Sequence, residues 1–168
     1  NLNTPNNVEG IAWFMDAVLP PLRAARPGIS ILIAGSNPSA RLRDLVAGQA
    51  GIDLLPNPES VSETRALGRV MINPVLQGSG VNVKSVEMLF TDSPVVTTPV
   101  GVQGLDEATR SAFLISNDPA EFARRIIAAL AGGPVIDETR ITARAAFGIG
   151  GARAFSAELA GLLRKTPR

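Results

Sequence analysis

Residues 74–90, PVLQGSGVNVKSVEMLF, combine residue types that can hold a negatively charged ligand. A predicted strand leads into the turn Gly78–Gly80, where glycines let the main chain approach an anion, and the helix predicted to follow offers unpaired N–H groups. Lys84 lies in its first turn, where a cation opposes the helix dipole unless it faces an anion. Glu87, about one turn later, suits hydrogen bonds from sugar hydroxyls. Spacing alone also fits an ordinary turn with solvent-facing Lys84 and Glu87, so both interpretations stay open.

Two other glycine-containing segments follow predicted strands. TTPVGVQGL (Thr97–Leu105) could hold a ligand from the opposite side, although a plain connecting loop explains it as well. IAGSNPS (Ile33–Ser39) could contact a phosphate or a base, but helix capping by Ser36 or Asn37 explains it equally. Neither segment indicates a function without its neighbours.

The elements that must position these segments alternate along the chain. Five short β-branched runs predict buried strands: Ile29–Ala34, Ile52–Leu55, Val70–Val75, Val95–Thr98 and Phe113–Ser116. Helices are predicted around them: Val8–Val18 (kinked or ended by Pro20 and Pro21), Arg41–Ala47, Val61–Leu67, Val83–Phe90, Asp118–Ala131 and Asp137–Lys165, the last interrupted at residues 148–151. This alternation predicts a Rossmann-like α/β domain, with helices on both faces of a mostly parallel sheet. Ligands of such sheets bind at the carboxyl ends of the strands, where the three segments lie.

Composition excludes several classes of protein. The 168 residues correspond to one domain of roughly 150 residues. A net charge of +1 and 4% aromatic residues argue against a nucleic-acid binder. The absence of Cys and His excludes thiolate and imidazole catalysis and zinc sites built on those residues. No apolar run approaches the length of a membrane span and no signal peptide is recognisable, which predicts a soluble, cytoplasmic domain.

In their order and spacing, these segments resemble the C-terminal, donor-binding domain of the GT-B glycosyltransferases of retaining family 4 (group 1). NLNTPNNVEGIAWF (Asn1–Phe14) is similar to the family pattern P-N-x-x-G-x-x-W-F. KSVEMLFTDSPVVTTPVGVQGL (84–105) is similar to K-x-x-E-A-M-A-x-G-x-P-V-V-x-T-x-x-G-x-x-G. Shorter matches at 29–39, 51–80 and 117–126 extend the resemblance over nearly the whole chain.

The resemblance implies a donor site. In the family, two glutamates separated by seven residues hold the donor; Glu87 matches the second, which contacts the nucleotide ribose, and the first falls on Ser79, as in a G-S-G subgroup. Ser79 can form a hydrogen bond but adds no charge. The implied donor-binding residues are Gly78, Ser79, Gly80, Val81, Asn82, Val83, Lys84 (beside the diphosphate) and Glu87. Further candidates are Asn57 and Pro58 for the nucleotide base, together with Gly35 and Gly101.

The implied function is transfer of a sugar, with retention, from a nucleotide diphosphate sugar to a saccharide or glycolipid acceptor, as in polysaccharide biosynthesis. The resemblance implies neither a metal nor another cofactor, and the catalytic residues stay unassigned because the family's N-terminal acceptor domain is not in this sequence. The family's first strand, which lies mid-sheet, would precede Asn1. Residues 1–168 are therefore expected to be a single-domain fragment, inactive alone, and membrane-associated, if at all, through the other domain; completion of the sheet by another chain stays open as an alternative.

Two other interpretations stay open. A non-catalytic nucleotide-binding α/β module would keep the glycine turn, and Ser79 together with a base loop lacking the family's usual Gly and aromatic residue is compatible with it. A receiver-like signalling domain would need acidic residues at the ends of the first strands. Neither Ile29–Ala34 nor Ile52–Leu55 ends in such a cluster, which disfavours this class.

Overall fold

A computed structural model describes residues 1–132 and 138–148, without the side chains of Val61 and Ser62. Within these residues, all strands pair in parallel, as the sequence predicts. The strands are β1 (Ile31–Gly35), β2 (Ile52–Pro56), β3 (Met71–Asn73), β4 (Val95–Thr97) and β5 (Leu114–Ile115). Each lies inside or within one residue of its predicted run.

The helices alternate with these strands. They are α1 (Pro5–Trp13), a π-helical turn (Phe14–Val18), α2 (Leu19–Ala25), α3 (Ala40–Val46), α4 (Val61–Ala66), α5 (Val83–Leu89), a 3₁₀ helix (Pro99–Val102), α6 (Glu107–Arg110), α7 (Pro119–Gly132) and α8 (Glu138–Phe147). Asp118 caps α7 as predicted, since its Oδ1 accepts a hydrogen bond from the N–H of Glu121 at 2.7 Å. The 3₁₀ helix falls in Thr97–Leu105, for which a connecting loop is one of the two interpretations, and α6 lies where the sequence predicts no element. The rest of the predicted C-terminal helix lies outside the described residues.

The strands form two sheets rather than one. β1 pairs with β2, and β3, β4 and β5 pair in that order. Successive residues of β4 show that helices cover both faces of its sheet: Val96 packs in a cluster with the π-helical turn, α2 and α7, whereas Val95 packs with α5, the 3₁₀ helix and α8. The structure therefore confirms the layered α/β class, with the sheet divided between β1 and β3.

Two side chains of β1 and β2 that the sequence predicts to be buried are exposed. Leu32 in β1 is 41% exposed and Leu55 in β2 is 37% exposed, although apolar strand residues indicate two covered faces. The third core cluster, made by Leu2, α3 and their neighbours, covers only part of this sheet. The prediction of full burial is therefore wrong for β1 and β2, because the described residues cover only part of the faces of this sheet.

The first helix also differs from the prediction. It begins at Pro5 and runs through Pro20 and Pro21 to Ala25, instead of starting at Val8 and kinking or ending at the prolines. Proline lacks an N–H and its ring clashes with the carbonyl four residues earlier. The π-helical turn widens the helix just before the prolines, where the N–H of Leu19 bonds to the carbonyl of Phe14, and so the helical path continues.

Candidate functional site

The glycine turn rests on a buried polar network at the end of β3. Asn73 is 3% exposed, and its Nδ2 donates to Asn82 Oδ1 at 3.1 Å and to Ser85 Oγ at 2.9 Å. Asn82 Oδ1 also accepts from the N–H of Ser85 at 3.3 Å, which caps α5. Gly80 has φ +70°, a conformation that glycine adopts without strain. These hydrogen bonds attach the segment Gly78–Val83 to the end of β3 and to the start of α5.

The loop after β4 packs against this turn. A methyl group added at Gly104 (φ +78°) would lie 3.2 Å from Val81 Cγ2 and 3.3 Å from the carbonyl carbon of Gly80, so these main chains are in close approach. Gly101 is buried directly over Thr97, whose hydroxyl donates to the Asn73 carbonyl at 3.0 Å. The segments 78–83 and 97–105, which the sequence singled out separately, therefore form one wall of the carboxyl edge.

Lys84 lies between this wall and the first helix. Its Nζ donates to Asn7 Oδ1 at 2.5 Å, and no ion pair between described residues includes it. Burial lowers the pKa of the Lys84 ammonium below its ordinary value of 10.5. A partly buried cation with a neutral partner is electrostatically unsatisfied, and an anion brought to this edge would supply its counter-charge.

Glu87 is held by a residue that the sequence analysis did not select. Arg65 Nη2 in α4 contacts Glu87 Oε2 at 2.5 Å, and the Glu87 side chain remains 46% exposed. A carboxylate offers about four acceptor positions on two oxygens, so one ion pair leaves room for hydroxyl donors. Glu87 is therefore partly exposed, as the interpretation of an ordinary solvent-facing residue predicts. Its ion pair with Arg65 also links α5 to α4, which that interpretation does not predict.

The loops after β1 and β2 contact each other at the same edge. The N–H of Asn57 donates to the carbonyl of Gly35 at 2.9 Å, and Asn57 Oδ1 accepts from the N–H of Asn37 at 2.9 Å. Both asparagines have φ near +50°, a left-handed conformation that Asn tolerates better than most residues. The Oδ1 and the N–H of Asn57 are thus engaged within the protein, and a base contact from residue 57 would involve its Nδ2 group or its main-chain carbonyl.

A cavity of about 1120 Å³ separates the two sheets. Its walls are β1 and β3, and α1 contributes from one side. Of the predicted site residues, Gly35, Pro58 and Lys84 line the cavity, whereas Asn57, Gly78–Val83, Glu87 and Gly101 lie outside it. The described charged residues that line it are Arg26, Asp53, Arg65, Arg69 and Lys84. The cavity is therefore basic, with four cations and one carboxylate.

Three residues of this arrangement were missed by reasoning from sequence. Asn73 is a polar residue inside an apolar strand, a signal that was available. Asn7 coincides with the Asn of the family pattern P-N-x-x-G-x-x-W-F, whereas Arg65 gave no local signal; the contacts of both with Lys84 and Glu87 depend on how α1 and α4 pack. Among the described residues, no group of three Asp or Glu side chains could hold a metal ion, and no helix is long and apolar enough to cross a membrane.

Parallel strands joined by helices, with glycine-rich loops gathered at the carboxyl edge, define a Rossmann-like α/β domain, consistent with one half of a GT-B fold. Residues 1–132 match the family model of the glycosyl transferases group 1, and the chain belongs to this family. It is also 32% identical over 135 residues to an "Uncharacterized 44.6 kDa protein in cps region" of Klebsiella pneumoniae. That match covers 76% of this chain but 34% of the relative, so the chain spans about a third of the relative's length. No solved structure matches the chain significantly.

Proposed function

We propose that this chain is the donor-binding domain of a glycosyltransferase that moves a sugar, with retention, from a nucleotide diphosphate sugar to a saccharide or glycolipid acceptor. Family membership supports glycosyl transfer. The arrangement of residues at the carboxyl edge supports a nucleotide diphosphate sugar as the donor. The chemistry would take place in a cleft shared with an acceptor domain. We assign no catalytic residue to this chain and expect that it needs no metal or other cofactor.

The observation that carries the proposal is Lys84. A cation that is partly buried, lacks a carboxylate partner among the described residues and lies beside a glycine turn is suited to a diphosphate. The ammonium would neutralise charge that develops on the departing diphosphate when the sugar bond breaks. Main-chain N–H groups along Gly80–Val83 would bind the same oxygens, and at Gly80 no side chain prevents a close approach.

The remaining contacts follow from the family match. Glu87 would accept hydrogen bonds from the ribose hydroxyls, and Ser79 would contact the donor sugar without adding charge. Gly35, Asn57, Pro58 and Gly101 would form the rest of the donor pocket, with the base near residues 57–58. The loop contacts at this edge support this reading, since Asn57 is bonded to the Gly35 loop and Gly101 is buried against Thr97 and the Asn73 amide.

The test is a thermal-shift titration of the protein with UDP, GDP and ADP, followed by their sugar conjugates. We expect one nucleotide to raise the melting temperature and Glu87→Ala to remove most of that rise. A stronger effect of the sugar conjugate than of the plain nucleoside diphosphate would support the transferase. An equal effect would support the alternative, a non-catalytic nucleotide-binding module, which Ser79 in place of a glutamate favours. No effect of any nucleotide would contradict both.

We also propose that one more parallel strand, the one expected before Asn1, lies between β1 and β3 in the intact protein. The N–H of Ile31 donates to the Gly51 carbonyl at 2.8 Å, and the carbonyl of Gly35 accepts from the N–H of Asn57 at 2.9 Å, so both residues bond on the side of β2. Because successive residues of a parallel strand direct their main-chain groups to opposite sides, those of Leu32 and Ala34 face the cavity. The N–H of Leu2 donates to the Ser36 carbonyl at 2.7 Å, which puts this end of the chain at the carboxyl end of β1.

Amide hydrogen exchange in the intact protein tests the additional strand. If the strand is present, the amides of Leu32 and Ala34 should exchange as slowly as the amide of Ile33, which is directed toward β2. Fast exchange at Leu32 and Ala34 next to slow exchange at Ile33 would show that the edge stays open.

A further inference from the structure

The contact between Lys84 and Asn7 joins α5 to α1. Lys84 Nζ donates to Asn7 Oδ1 at 2.5 Å, and Asn7 Nδ2 donates to the carbonyl of Asn1 at 2.5 Å. The two bonds fix the orientation of the amide, because a flipped amide would direct its NH₂ group at an ammonium and its oxygen at a carbonyl. Asn7 therefore holds the Lys84 ammonium at one place at the carboxyl edge.

The residue type at position 7 is informative because two charges near it, the helix dipole and the Lys84 ammonium, favour a carboxylate there. Asn7 is the third residue of α1, and the first turn of a helix attracts negative charge. Aspartate has nearly the same shape as asparagine and would form an ion pair with Lys84, at the expense of the bond that Asn7 Nδ2 donates to the Asn1 carbonyl. The first turn of α1 nevertheless contains no acidic residue. The chain thus positions the lysine with a neutral group and leaves its charge uncompensated.

We propose that Asn7 is a positioning residue, which orients Lys84 and keeps its charge available for the phosphates of a nucleotide ligand. This inference deepens the proposed function and rests on it. Asn7 acts through Lys84, without a role in the chemical step. Its neutrality is the property that matters, since a carboxylate in its place would compete with the phosphates for the same ammonium.

The variant Asn7→Asp tests the inference, and Asn6→Asp is its matched control. Asn6 lies in the same turn of α1 and lines the same cavity, but Lys84 donates to Asn7 and not to Asn6. We expect Asn7→Asp to raise the pKa of Lys84, followed by lysine-selective NMR, and to weaken binding of the preferred nucleoside diphosphate by about tenfold or more. Asn6→Asp should change the affinity by less than about threefold.

A double-mutant cycle separates action through Lys84 from direct repulsion of the ligand. In the Lys84→Met background, Asn7→Asp should weaken nucleotide binding no more than Asn6→Asp does. An unchanged affinity of Asn7→Asp for a nucleotide that the wild type binds would overturn the inference and leave the proposed function intact. An equal loss with and without Lys84 would also overturn it. Wild-type protein that binds none of UDP, GDP and ADP would overturn the proposed function itself, and the inference with it.

Discussion

Replacing Lys84 by methionine separates binding from stability. Methionine keeps an unbranched side chain and removes the charge. One hydrogen bond to a charged group contributes about 1.5–3 kcal/mol, so we expect the dissociation constant of the preferred nucleoside diphosphate to rise about 10- to 150-fold. The free energy of unfolding should change by less than about 1 kcal/mol, because the lost bond to Asn7 is offset by removing a partly buried charge.

Isothermal titration calorimetry gives the dissociation constant, and urea denaturation gives the free energy of unfolding. Arg41→Met is the matched control: it removes the same charge from an exposed position at the start of α3 and should leave both quantities nearly unchanged. An unchanged affinity of Lys84→Met would refute the assignment to the diphosphate. A loss of several kcal/mol of stability would instead show that Lys84 is mainly structural.

The lowered pKa of Lys84 adds a dependence on pH. In the window between its lowered pKa and 10.5, the unfolded state binds more protons than the folded state, so this group makes stability rise with pH. Affinity for a diphosphate should fall in the same window, because the folded protein loses the ammonium. Lys84→Met should show neither trend. A wild-type affinity that stays constant through this window would argue against a charged Lys84 in the complex.

Two further substitutions test the neighbouring contacts. Glu87→Gln should weaken the binding of ribonucleoside diphosphates about five- to tenfold and that of 2′,3′-dideoxy analogues much less, because only the former offer hydroxyl donors. Glu107→Gln, at a side chain that is 94% exposed, is the control in the same calorimetric titrations. An equal loss of affinity for both ligands in Glu87→Gln would contradict the ribose contact. Gly101→Ala should lower the free energy of unfolding by about 1–3 kcal/mol in urea, because the added methyl would overlap the buried Thr97 hydroxyl. Gly28→Ala meets nothing within 4 Å and is the control; similar losses for both would contradict the packing argument.

Local patterns in the sequence carried most of the fold. The apolar runs predicted all five described strands, and the Asp118–Pro119 start predicted α7, since strand burial and helix capping depend on a few neighbouring residues. Pro20 and Pro21 misled the prediction for the first helix, because a π-helical turn accommodates them and no local pattern announces such a turn. The exposure of Leu32 was equally unpredictable, since it depends on how much of the sheet of β1 and β2 the rest of the fold covers.

The candidate site shows the same boundary between local and tertiary information. The turn 78–80, Lys84 and Glu87 could be found because glycines and charges at a strand-to-helix junction form a recognisable local pattern. Their partners could not be found, since Asn7 is 77 residues from Lys84 and Arg65 is 22 residues from Glu87. Arg140 is a further example, because it donates to the carbonyls at the end of α5 from 49 to 52 residues away.

The geometry of α5 connects these long-range contacts to the proposed chemistry. Its first turn is fixed by the Asn73 network, and its last carbonyls accept hydrogen bonds from the buried Arg140. Lys84 and Glu87 lie between these two attachments and are each held by one partner from another helix. A helix of seven residues has little intrinsic stability in water, so its position depends on such tertiary contacts. The charges of Lys84 and Glu87 are thus placed before any ligand binds, which lowers the entropic cost of binding and agrees with the proposal that they hold a flexible diphosphate and its ribose in one orientation.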